Sequence, residues 1–181
     1  MLAVDASGAI RGASLGNDVN LRDFEGRSAL LLPEAKDNNA SSAIGPFIRL
    51  FEPGFTLDDL MATDVTVEVR GRDGFTTGGA NRLSRISRDP RALVAQAMGR
   101  THQYPDGLAL FLGTMFVPTA DRDEVGRGFT HHAGDVVRIS NPLLGVLQNE
   151  VGWCDEVPPW TVGIRAFWAN VVARTHRAQG G

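Results

Sequence analysis

An α+β fold, built on antiparallel or mixed sheet with long loops on one face, is what this sequence predicts. Three observations carry it. Short strand-like stretches outnumber helical ones. Turn signals join those stretches in pairs, as hairpins. Neither a β-α-β alternation nor a glycine-rich dinucleotide fingerprint occurs in the 181 residues.

Taken in order, residues 1–19 read as a hairpin: LAVD, a turn at Ala6-Ser7-Gly8, then IRGASLG. The chain opens inside a strand, with no turn or cap ahead of it, so further sequence upstream is expected. Residues 17–46 have little periodicity and are dense in Asn, Asp, Ser, Gly and Pro. An irregular loop of that length inside a compact domain is expected to build a site. A short strand is expected over 47–51, then a turn at Pro53-Gly54. Thr56 and Asp59 have the spacing of a helix cap, but LDDLM is read as a lead into the next strand rather than as a helical turn. Residues 64–70, DVTVEVR, alternate Val65, Val67 and Val69 against Thr66, Glu68 and Arg70, the pattern of a half-buried strand. Residues 71–74 turn that strand into FTTGGAN, a second hairpin.

A helix is expected over 87–101, capped by Ser87, with Pro90 in its first turn and Leu93, Val94, Ala97 and Met98 on one face. His102, just past its end, reads as a capping or surface residue. Residues 108–112 are wholly apolar, read as a buried strand that stops at Gly113-Thr114. A strand ending in a small residue and a hydroxyl offers backbone N–H groups and an Oγ to an anionic ligand, although an ordinary strand end has the same pattern. A second long polar loop covers 117–132. It ends in His131-His132, weak metal candidates because adjacent residues on extended chain face opposite ways. A third hairpin joins VVRIS to VLQNEVG through 141–145. After Pro158-Pro159-Trp160, residues 161–177 read as an amphipathic helix. Thr161 is its expected cap, Ile164, Phe167, Trp168, Val171 and Val172 lie on one side, and Arg174 and Arg177 stand at its end. Residues 178–181 are expected to fray.

Composition narrows the function. Hydrophobic residues make up 43% and charged residues 22%, the balance of a globular chain rather than a disordered one. A net charge of −3 with scattered arginines gives no basic face for nucleic acid. No apolar run reaches bilayer length, and the opening MLAVDASG has neither a basic n-region nor an apolar h-region. A lone cysteine, Cys154 beside Trp153, reads as structural and suits a reducing cytoplasm.

Within the loop at 17–46 lies Lys36, the single lysine among eighteen basic side chains. An amine does what a guanidinium does not, since burial or a neighbouring charge moves its pKa into a useful range. Composition alone leaves open that Lys36 is a leftover surface residue. Asp18 and Asp23 share its loop.

Five ordered stretches carry a family likeness: GNDVNLRDFEG, LLPEAKDNNASSAIGP, LALFLGTMFVPTADRD, GFTHHAGDVVRISNPLLGVLQNEV and DEVPPWTVGIRAFWANVVAR. Together they resemble the C-terminal domain of the fumarylacetoacetate hydrolase family, nearest its 2-keto-3-deoxy-arabinonate dehydratase-like branch. The likeness covers nearly the whole chain. It implies a mixed β-sandwich roll, a single (partial) catalytic domain over 1–181, and a homo-oligomer, either dimer or tetramer. It also implies a divalent ion, Mg²⁺ or else Mn²⁺ or Ca²⁺, with Asp18 as a metal ligand, Lys36 as the catalytic lysine, and Gly113 and Thr114 at the substrate.

The family's Glu-x-Glu metal pair lies just before the strand that opens this chain, so the chain is expected to be cut through its metal site, which leaves open that the ion is absent. The implied activity is metal-dependent dehydration of a 2-keto-3-deoxy sugar acid through an enolate. The alternatives are C–C bond hydrolysis of an acylpyruvate-type substrate, and a non-catalytic truncated member.

Overall fold

The computed structural model describes residues 1–114 and 116–179, with the side chains of 176–179 excepted. Those residues form two four-stranded sheets in which every pairing is antiparallel. The first sheet holds β1 (Leu2–Val4), β2 (Ile10–Asp18), β3 (Ser42–Leu50) and β6 (Leu108–Leu110), in the order β3-β2-β1-β6. The second holds β4 (Asp64–Arg70), β5 (Thr76–Arg82), β7 (Val136–Asn141) and β8 (Gly145–Glu150), in the order β5-β4-β7-β8. All three expected hairpins are present.

The sheets pack where β2 and β3 meet β7 and β8. One core runs between them: Leu2, Ala13 and Leu15 from the first sheet and Val69, Val137, Ile139 and Leu147 from the second. Phe55, Leu57 and Leu60 close it from the side, in the connection from β3 to β4. Burial of this apolar surface is the main driving force for the fold.

Several elements depart from the sequence reading, each for a local reason. The 17–46 segment contains α1 (Arg22–Glu25), a 3-10 turn at Ala29–Leu31 and α2 (Leu32–Lys36). Helices of one turn are too short to show a 3.6-residue period, so only Pro33 in the first turn of α2 hints at them. Lys36 therefore ends a helix rather than sitting in irregular chain. β3 begins five residues before the expected start and runs through the cis Gly45–Pro46 bond. It can do so because it is an edge strand whose register with β2 shifts between Ala13 and Leu15, the setting that tolerates proline.

LDDLM is a helix, α3 (Leu57–Met61). Thr56 and Asp59 form the reciprocal capping box, with Asp59 N–H donating to Thr56 Oγ1 at 3.2 Å and Thr56 N–H to Asp59 Oδ2 at 2.9 Å. α4 (Pro90–Ala97) is shorter than expected and is capped by Asp89, not Ser87. Pro90 disfavours helical backbone at the residue before it, which places the cap directly there.

β6 is partly exposed rather than buried, being the outer strand of its sheet. The last helix, α5 (Ile164–Gln179), starts one turn after the expected Thr161 cap. The side chain of Arg177 and residues 180–181 of the expected frayed tail lie outside the described residues, as does Met115.

Candidate active site

β2 ends at Asp18, and the chain then folds back through α1 and α2 to present Lys36 beside it. Several bonds impose the return. Val19 N–H donates to Ser41 O at 2.9 Å and Leu21 N–H to Ala35 O at 3.0 Å, while Ala35 is buried. At the end of α2, Ser41 Oγ donates to Lys36 O at 2.7 Å and Asn38 Nδ2 to Glu34 O at 2.9 Å, satisfying carbonyls the helix leaves open. The result is a direct contact: Lys36 Nζ donates to Asp18 Oδ2 at 2.7 Å, with both side chains about half exposed.

Two residues not singled out from sequence belong to this corner. Glu25 accepts from Asn20 Nδ2 at 2.5 Å and from Arg22 Nη1 at 2.9 Å. The Asn20 amide and then the Arg22 guanidinium hold the Glu25 carboxyl below the usual carboxylate range, and Lys36 adds to the effect. Asn20 Oδ1 is buried without a partner among the described residues. No spacing rule marks this pair, because their meeting depends on α1.

Gly113 and Thr114 lie in the bridge that carries the chain from the first sheet to the second. At one end the Phe111 ring lies on Gly16, two residues before Asp18, so close that a Cβ at Gly16 would overlap it. At the other end the Phe116 ring covers Gly79 of β5 in the same way. Gly113 has φ +80°, a conformation that favours glycine. Thr114 Oγ1 lies 3.0 Å from Asn81 Oδ1 and 2.8 Å from Phe116 O, and Phe116 N–H donates to Asn81 Oδ1 at 2.7 Å. Asp18 and Lys36 are thus brought together directly. The Gly113-Thr114 bridge is tied to them through Phe111 on Gly16, and its hydroxyl is engaged by Asn81 and Phe116.

The 117–132 loop is anchored by a buried ionic knot that the sequence reading missed. Arg122 and Asp135 are 2% and 1% exposed; Nη1 donates to Asp135 Oδ2 at 2.5 Å and Nη2 to Oδ1 at 2.9 Å. Arg122 also donates to Asp73 and to Thr130 O and lies over the Phe75 ring at 4.7 Å. Burial pushes the Asp135 carboxyl up, but Arg122 and the His132 N–H outweigh it and hold it below the usual range.

His131 and His132 point to different partners. His131 is packed edge-on against Phe129 at 4.7 Å, and burial depresses its pKa. His132 Nε2 is 3.0 Å from Asp123 Oδ2. Among the described residues no group of three His, Cys, Asp or Glu is placed to hold a metal ion. His102 is an exposed surface residue at 3.1 Å from Thr101 Oγ1, and Cys154 is exposed rather than packed. No helix among the described residues is long and apolar enough to cross a membrane.

Asp18 has the donor chemistry for a hard divalent cation, but one half-exposed carboxylate already in contact with an ammonium does not make a cage. It fits a weakly held, largely hydrated ion, since Mg²⁺ takes as few as one or two protein carboxylates beside water and substrate oxygens.

Comparison with known proteins finds relatives in both sequence and fold. The chain is 29% identical over 158 residues to 2-dehydro-3-deoxy-D-arabinonate dehydratase of Saccharolobus solfataricus, covering 83% of this chain and 47% of that protein. It is 30% identical over 145 residues to a probable 2-keto-3-deoxyxylonate dehydratase of Haloferax volcanii, covering 80% and 46%. The solved structure of 2-keto-3-deoxy-D-arabinonate dehydratase complexed with magnesium and 2,5-dioxopentanoate matches with a TM-score of 0.68 at 26% identity, over 82% of this chain and 49% of that one. Fumarylacetoacetate hydrolase from psychrophilic Exiguobacterium antarcticum matches with a TM-score of 0.52 at 25% identity, over 78% and 47%.

The chain spans about half the length of the curated relatives it matches. No family model matches the sequence. Sequence and two-sheet architecture together are similar to those of 2-keto-3-deoxy-arabinonate dehydratases and of a fumarylacetoacetate hydrolase, which supports membership of the fumarylacetoacetate hydrolase family near its dehydratase branch.

Proposed function

We propose that residues 1–181 are one catalytic domain of a lyase that dehydrates a 2-keto-3-deoxy sugar acid and works as a homo-oligomer. The observation that carries the reading is the 2.7 Å contact between Lys36 and Asp18, in a chain whose curated relatives are sugar-acid dehydratases. Dehydration removes a proton from the carbon next to the ketone and expels the hydroxyl one carbon further on as water. Lys36 is the side chain for proton transfer or for donation to substrate oxygen, being the flexible amine at this corner. Asp18 orients that amine and is the residue that would hold a divalent ion, Mg²⁺ by analogy with the relative. When bound, such an ion supplies positive charge to the developing enolate oxygen. Gly113 and Thr114 offer backbone N–H groups to the substrate carboxylate from a bridge whose shape Asn81 holds, and the Thr114 hydroxyl joins them by turning its proton away from Asn81 Oδ1 and Phe116 O.

The experiment is product analysis of the purified chain given a 2-keto-3-deoxy pentonate and millimolar Mg²⁺. Loss of water with every carbon retained supports the dehydratase reading, whereas two smaller acids indicate acylpyruvate-type hydrolysis. A second reading, a non-catalytic family member, is favoured by the single carboxylate at the corner and is established by absence of turnover at any Mg²⁺ concentration.

A further inference from the structure

Ala13 and Leu15 of β2 share one core with Val137, Ile139 and Leu147 of β7 and β8, and every one of these side chains is apolar. Apolar packing is non-directional, so it draws the two sheets together without deciding how far one slides over the other. Hydrogen bonds decide that, because they weaken steeply with distance and angle. Two of them cross between the sheets from side chains of β3 and β2. Arg49 Nη1, whose residue pairs with Ala13, donates to Leu143 O at 3.1 Å. Toward the other end of β2, Asn17 Nδ2 donates to Asn149 Oδ1 of β8 at 3.1 Å.

Asn17 immediately precedes Asp18. Strand alternation sets the two back to back: Asn17 continues the face of Ala13 and Leu15 toward the second sheet, while Asp18 turns the other way, to Lys36. Both amides are partly buried, so their bond replaces bonds to water and adds little net stability. What a polar pair in an apolar seam does well is fix register.

We propose that Asn149 is a positioning residue for the Asp18–Lys36 corner: by holding Asn17 from the second sheet, it sets where β2 ends and so where the Asp18 carboxylate stands against the Lys36 amine. This deepens the catalytic reading above and rests on it for what the corner does, while the test needs no turnover.

Lys36 is the single lysine of the chain, so labelling with isotope-enriched lysine gives one set of side-chain NMR signals, all from this corner. The Lys36 Nζ and Cε shifts are read in the wild type and in Asp18→Asn, which removes the partner's charge and marks where an unpartnered lysine resonates. Asn149→Leu is expected to move the signals by roughly half or more of that distance, and adding Asp18→Asn to it is expected to change them little further. The double variant Asn17→Leu/Asn149→Leu replaces both amides by apolar side chains. Its melting temperature is expected to match or exceed that of the wild type while the Lys36 signals stay displaced, which a merely structural role does not produce. Ile139→Val trims the same seam and leaves the amides alone; it is expected to melt lower with its Lys36 signals at the wild-type position.

Wild-type signals in Asn149→Leu or in the double variant overturn the proposal, and the double variant decides where the single one does not fold. An equal displacement in Ile139→Val overturns it as well, since the shift then reports general loosening of the sheets. Identical signals in the wild type and Asp18→Asn do the same, because the contact to be positioned is then not made. Absence of turnover in the wild type bears on the catalytic reading and moves none of these signals, so the two fail separately.

Discussion

Lys36 Nζ lies 2.7 Å from Asp18 Oδ2 although eighteen residues of chain separate them. Both side chains are solvent-accessible, so the contact adds only about 0–1 kcal/mol to stability, and its value lies in orientation. Asp18→Asn is therefore expected to keep the urea midpoint near that of the wild type while abolishing any dependence of turnover on Mg²⁺ between about 1 and 10 mM. A large fall in midpoint would mark the pair as structural instead.

Gly16 is predicted to be intolerant of any side chain. A Cβ there overlaps the Phe111 ring, so Gly16→Val must displace β6 and with it the bridge holding Thr114. The expected cost is about 1–3 kcal/mol, read from chemical denaturation. Gly54→Ala, where a Cβ meets nothing within 4 Å, is the matching control and is expected to be near neutral.

Arg122→Met strands the Asp135 carboxylate, which is 1% exposed. Removing one partner of a buried ion pair costs about 3–5 kcal/mol. The double variant Arg122→Met/Asp135→Leu is expected to recover much of that loss in the same thermal or urea melt. If the single variant melts like wild type, the knot does not anchor the 117–132 loop.

His131 gives the pH dependence a definite sign. Burial depresses its folded-state pKa below the ordinary value of about 6.5, so the unfolded chain binds a proton here that the folded chain resists. Its contribution is full above that value and is lost as the pH falls through it toward the depressed folded value. His131→Phe keeps a ring against Phe129 and removes the titration. Unfolding free energy measured from pH 7 to 5 should fall less steeply in the variant than in the wild type, and parallel curves would contradict this.

The hairpins were legible because strand alternation and Gly-bearing turns are local signals; residues 64–82 folded as their spacing implied. The Asp18–Lys36 corner was legible only as an odd lysine in a polar stretch with a family likeness. What brings the two side chains together is one-turn helices too short for a periodicity, closed by Val19 N–H on Ser41 O and Leu21 N–H on Ala35 O. Arg122 and Asp135 were hidden for a different reason. A charged side chain in a polar loop reads as solvated, and nothing short of the tertiary fold places thirteen-residue neighbours face to face in the interior. α5 was legible as an amphipathic helix, but its sequence did not reveal that its apolar face stays open.

The central claim is that the amine at position 36 does chemistry at this corner. Lys36→Arg preserves charge, reach and the contact with Asp18, and replaces a mobile amine with a planar guanidinium that does not give up its proton. The decisive measurement is kcat for water loss from a 2-keto-3-deoxy pentonate, wild type against Lys36→Arg, at matched Mg²⁺ and with equal melting temperatures. A fall of about 10²–10⁴-fold is predicted, and a variant that turns over within about threefold of wild type would contradict the claim.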